Sequence, residues 1–156
     1  MPKTLTSVAL AVAALLSYSG AAAAAEEIKF TLTLTPQDPV TQALVGDPDA
    51  RGKAEFTILP EEGLICYELE AEGTTEPVEP QPGIGSAHIH FAAGGGIALN
   101  LETEFQLDQA DEFKASGCVE ADSELIEAIL ANPEAYYLNI HTHQFPGGAL
   151  FASLAG

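Results

Sequence analysis

From residue 27 onward, much of the chain alternates apolar and polar residues with a period of two. That is the period of a strand with one face buried. Over 27–35, Ile28, Phe30, Leu32 and Leu34 fall on one face; Lys29, Thr31, Thr33 and Thr35 fall on the other. The stretch 52–59 repeats this, with Ala54, Phe56 and Ile58 inward, and 64–70 forms its partner. Pro60-Glu61-Glu62-Gly63 joins the two as a turn, since Pro presets its start and Gly admits positive φ at its end. Short strands are predicted again around His88–His90, over 97–101, around Asn139–His141 and over 149–154. The residues 94–96 and 146–148 supply turns rich in glycine. The GGG run at 94–96 has no Gly-Lys-Ser after it and opens no helix, so it reads as a tight turn and not as a phosphate loop.

One segment follows the helical period instead. Leu125, Ile126, Ile129 and Leu130 share a face of a helix over 123–131, with Asp122 as candidate N-cap. Asn132-Pro133 ends it, because Pro pushes the preceding residue out of the helical region. The segment 102–115 is polar and acidic, anchored by Phe105, Leu107 and Phe113, and 71–85 reads as a long acidic loop with several prolines. About seven strands and one helix, punctuated by Gly and Pro, predict an antiparallel sandwich or flattened barrel.

The first 25 residues break the pattern. Lys3, an apolar run from Val8 to Leu16 and the alanines 21–25 read as a secretory signal peptide cut before Glu26, leaving one domain over 26–156. The apolar run is too short to span a bilayer, and nothing later approaches that length. The expected location is therefore outside the cytoplasm, periplasmic or extracellular. The charge fits a soluble domain: 23 acidic residues face five basic ones, a formal −18 at pH 7. Such a surface repels nucleic acid and anionic lipid and draws cations diffusely; a metal ion or an extracellular protein stands as the candidate partner. Cys66 and Cys118 are the two cysteines. In an oxidising compartment they are expected to pair.

Chemistry concentrates at two places. All four histidines occur as two His-x-His pairs, His88/His90 and His141/His143, each expected on a strand face opposite aliphatic residues. In the first pair Ala87, Ile89 and Phe91 alternate with the imidazoles. In the second, Leu138 and Ile140 lie behind Tyr137, Asn139, His141 and His143. Residues i and i+2 on a strand project about 6.5–7 Å apart to one side. Two such strands side by side can offer four neutral imidazoles to copper or zinc, with Tyr137 and Asn139 behind them as acceptors for ring N–H groups. The other reading makes the histidines internal braces that bond loop carbonyls. No Ser, Cys or carboxylate constellation indicates a catalytic set.

The segments "AHIHFAAGGG" and "NPEAYYLNIHTHQFPGGALFASL" resemble the CHRD domain, as does the earlier "DPVTQA…GKAEFTI…GLICYELE". The resemblance rests on Ala87, His88, Ile89 and His90, then on Tyr137, Asn139, His141, Thr142, Phe145, Pro146, Gly147 and Gly148. It implies an immunoglobulin-like or superoxide-dismutase-like β-sandwich and extracellular interaction. Phe151 and Ala152 stand where the family usually has Arg-Gly. A second similarity, to copper/zinc superoxide dismutases, rests on the His-x-His pair alone. Three functions follow: a non-enzymatic domain that binds a metal or a partner, a redox enzyme resembling superoxide dismutase, or a structural extracellular module.

Overall fold

A computed structural model describes residues 26–77 and 85–156. The expected signal peptide and the centre of the 71–85 loop lie outside the described residues. The rest forms two antiparallel sheets packed face to face, with one helix.

The larger sheet contains β1 (Ile28–Leu34), β2 (Arg51–Leu59) and β3 (Leu64–Glu72). The smaller contains β4 (Ala87–Phe91) and β5 (Ile97–Asn100). The chain then returns to the larger sheet with β6 (Gln106–Leu107) and β7 (Phe113–Glu120). Helix α1 (Ser123–Ala131) and a single 3₁₀ turn, Pro133–Ala135, lead into β8 (Tyr136–Ile140) and β9 (Leu150–Ser153). The strand orders are β1-β2-β3-β7-β6 and β5-β4-β8-β9. The expected sandwich and the β2–β3 hairpin are both present, with Gly63 at φ +66° closing the hairpin turn.

Two strands, β6 and β7, are additional to those the alternation predicts. β7 is hidden because its inward side chains are small. Ala115 and Gly117 sit between Phe113 and Val119. Each small residue has a large neighbour across the sheet. Gly117 pairs with Tyr67, and a Cβ there would lie 2.7 Å from the Tyr67 hydroxyl oxygen. At Gly52 a Cβ would meet the Glu70 backbone carbonyl oxygen first and then crowd the Leu34 and Leu150 side chains. Phe30 and Phe56, paired across β1 and β2, stack with ring centres 5.3 Å apart. The core is thus packed by complementary sizes across the ladder.

From the smaller sheet, Ala87, Ile89, Leu138, Ile140 and Leu150 are buried against this layer, and Ile126 and Ile129 of α1 join the same core. Asp122 occupies the N-cap, but its side chain makes no capping hydrogen bond. Phe91, expected among the inward residues of β4, is instead exposed at the end of the strand, against the Tyr136 ring. Leu107, expected as an anchor, is also exposed on the two-residue β6.

Cys66 and Cys118 are directly opposite on β3 and β7 and form a disulfide, with Cα atoms 3.9 Å apart. Strand parity puts it on the outer face of the larger sheet. No helix among the described residues is long and apolar enough to cross a membrane.

Candidate metal centre

The β4–β8 pairing brings the two histidine segments together. His88 lies opposite Asn139, and His90 opposite Tyr137. Because Ala87, Ile89, Leu138 and Ile140 fill the core, strand parity sends His88, His90, Tyr137 and Asn139 to the far face of the smaller sheet. That face is nevertheless closed. His88 is 1% exposed, His90 8%, His141 7% and Asn139 2%.

His88, His90 and His141 form a compact group. One ring nitrogen from each lies within 4.8 Å of the others. His88 Nδ1 is 3.2 Å from His141 Nε2. Two nitrogens held by one tetrahedral ion at 2.0–2.1 Å would lie about 3.3–3.4 Å apart, so the pair already has a metal's bite. His143 is exposed and stands outside the group. The strand ends at Ile140. His141 still donates its backbone N–H to Ser86 O at 2.8 Å, but Thr142 turns the chain, accepting from the Phe145 N–H through its side-chain oxygen at 3.1 Å. The period of two therefore stops before His143.

Two backbone carbonyls fix the rings. His90 Nδ1 is 2.9 Å from Gly95 O, and His141 Nδ1 is 2.8 Å from Pro146 O. A carbonyl only accepts, so each Nδ1 carries the proton and each Nε2 is a bare lone pair. Both carbonyls come five residues after their histidine, in a glycine-rich turn. Gly95 has φ +66° and Gly148 φ +125°, conformations that favour glycine. A Cβ at Gly148 would lie 2.4 Å from the Phe151 ring. Gly95 and Pro146 were not among the expected site residues, because their contribution is backbone. Their signal in the sequence is a glycine-rich turn at the same distance after each histidine.

The rest of the site is tightly packed. Tyr137 stacks on His90 at 5.1 Å and 12° between planes, and Phe151 lies 6.4 Å from the Tyr137 ring. His88 Nε2, His90 Nε2 and Asn139 Oδ1 are buried without a hydrogen-bond partner. Buried polar atoms are rarely left so, and each orphan costs about 1–3 kcal/mol. Burial pushes the His88 pKa down to about 4, and the neighbouring His141 and His90 add to the shift. Burial also lowers His141, against the opposing bond to Pro146 O. Both rings are therefore neutral at pH 7, the state a metal ligand needs. Burial first, then Asp38, raises the Tyr137 hydroxyl above the ordinary phenol value.

A broad surface depression lies elsewhere, against β3, β6 and β7, where Glu68, Glu70, Asp108 and Lys114 line it. It is open and solvated and shares no residue with the histidines.

The family model of the CHRD domain matches residues 30–151. No curated protein matches the chain, and no solved structure does.

Proposed function

Because the chain belongs to the CHRD-domain family, we propose that it serves that family's fold as a non-enzymatic carrier of one transition-metal ion, copper or zinc. The ligands are His88, His90 and His141. The observation that carries this reading is the convergence of three buried imidazoles, two of them with Nδ1 committed to a carbonyl and Nε2 left unprotonated. A brace needs one bond per ring. A brace does not need the second nitrogens of His88 and His90 buried and unpartnered. Imidazole nitrogen suits copper and zinc, and copper(II) binds more tightly than zinc on intrinsic affinity. His143 is not part of the ligand set in this reading.

The same reading takes 1–25 as a cleaved leader and 26–156 as the exported domain. The disulfide supports it, since such bonds persist in oxidising compartments. Protein recovered from outside the cytoplasm then starts at or near Glu26, by intact mass.

The test is calorimetric titration of metal-free protein with copper(II) and zinc, in wild type, His141→Ala and His143→Ala. One ion per chain is expected in wild type. His141→Ala lowers affinity by more than about 100-fold, beyond what losing a supporting residue costs. His143→Ala leaves it unchanged. Equal, weak uptake by all three proteins would assign the metal to the acidic surface and make the histidines structural. Superoxide turnover by the copper-loaded protein would instead favour the redox-enzyme reading.

A further inference from the structure

Two orphan atoms of the site sit on directly opposed residues. His88 and Asn139 are partners in the β4–β8 ladder, on the same face of the sheet. Side chains so placed have Cβ atoms about 4.5–5.5 Å apart. His88 Nε2 and Asn139 Oδ1 are both buried, and neither has a partner.

The proton on His88 accounts for this. His141 Nδ1 donates to Pro146 O, so His141 Nε2 is a lone pair. His88 Nδ1 lies 3.2 Å from that lone pair. Without metal, His88 must carry its proton on Nδ1 and donate it to His141, since two lone pairs at that distance repel. His88 Nε2 is then bare, on the face it shares with a bare carbonyl oxygen of Asn139. Two acceptors are left without a donor, as observed.

A metal reverses the arrangement. If His88 bound it through Nε2, its Nδ1–H would go on occupying the His141 lone pair. His141 would be lost as a ligand, and Asn139 Oδ1 would stay orphaned. If His88 binds through Nδ1, all three histidines are used, and the proton displaced from Nδ1 is regained at Nε2. Nε2–H then has Asn139 Oδ1 as its acceptor. We infer that Asn139 is the positioning residue of the centre: metal uptake converts His88 from the Nδ1–H to the Nε2–H tautomer, and the Asn139 carboxamide oxygen holds the new proton. The ligand atoms are then His88 Nδ1, His90 Nε2 and His141 Nε2. One N–H bond breaks and one forms on the same ring, so His88 releases no net proton.

This inference rests on the metal reading above, and its test separates the two. The full mature protein, labelled with ¹⁵N, is compared without metal and with zinc by two-bond ¹H–¹⁵N correlation of the imidazole rings. His88 is expected to pass from Nδ1–H to Nε2–H, while His90 and His141 remain Nδ1–H in both states. Asn139→Leu, which keeps the volume and removes the acceptor, lowers zinc affinity 10- to 100-fold, and Asn139→Asp restores it. Zinc binding by wild type with His88 still Nδ1–H overturns the role of Asn139 alone. So does an Asn139→Leu protein that binds as tightly as wild type. No zinc binding by wild type overturns the metal reading and this inference with it. If Asn139→Leu fails to fold, the wild-type spectra decide.

Discussion

The outer faces of the two sheets are built from the same pleat and could hardly differ more. On the larger sheet, rows of paired residues run across four strands. Thr33, Lys53, Glu70 and Lys114 form one row; Lys29, Thr57, Cys66 and Cys118 form another. These charges stand in water and pair with each other. Lys114 reaches Glu70 at 3.5 Å, Asp108 at 3.1 Å and Glu112 at 3.0 Å. Such exposed pairs contribute little stability. The smaller sheet turns its polar residues outward too, but there His88, His90, His141 and Asn139 are sealed and partly unpartnered. Polarity alone therefore does not mark a site. Polarity withheld from water and left unsatisfied does.

The comparison has consequences for stability, and the largest belongs to the solvated face. Its disulfide closes a loop of 52 residues. Cys66→Ala/Cys118→Ala is expected to lower unfolding free energy by about 4 kcal/mol on the chain-entropy argument, read from denaturant midpoints. Zinc affinity of the still-folded protein should not change, because the bond lies on the opposite sheet. A loss of affinity at full folding would couple faces that the structure keeps apart.

The next effect belongs to the sealed face. In the unfolded chain His88 titrates near 6.5; in the metal-free fold it is held at about 4. Between those values the unfolded chain takes up a proton that the fold refuses. Stability is therefore complete above about pH 6.5 and falls as pH drops toward 4. The loss from His88 is of order 3 kcal/mol, and His141 adds in the same direction. Urea unfolding of metal-free protein between pH 7 and 4 measures it. His88→Gln should flatten the curve, and an equally steep curve in that variant would place the sensitivity elsewhere.

The smallest effect is Lys114→Gln. The lysine faces three carboxylates, and its bonds to Glu112 and Asp108 hold its pKa above the ordinary lysine value. All of this happens at an exposed position, so the midpoint at moderate salt should scarcely move. A large shift would show that the outer face of the larger sheet is less solvated than its exposure implies.

Much of this was legible in the sequence. Alternation marked β1 to β5, β8 and β9, and the 3.6-residue period marked α1 over the very residues it occupies. The cysteine pair followed from the expected compartment. β7 was not legible, because its inward Ala115 and Gly117 carry almost no apolar signal. Their partners on β3 carry it for them. The membership of the histidine group was only half legible. His88, His90 and His141 follow strand parity, but His143 depends on where β8 stops. That point is set by Thr142 and Phe145, a local bond that no periodicity reports. The supporting carbonyls of Gly95 and Pro146 were invisible as side chains and visible only as turns.

The ladder between β4 and β8 also sets an order of events. His88 and His141 are 53 residues apart in the chain, and the elements between them belong partly to the other sheet. Pairings this distant in sequence close late, and sheets dominated by them fold in milliseconds to seconds. A chain still emerging or still extended holds at most one histidine pair, with nothing opposite it. On the metal reading proposed above, capture would therefore follow folding, in whichever compartment the last strands find each other.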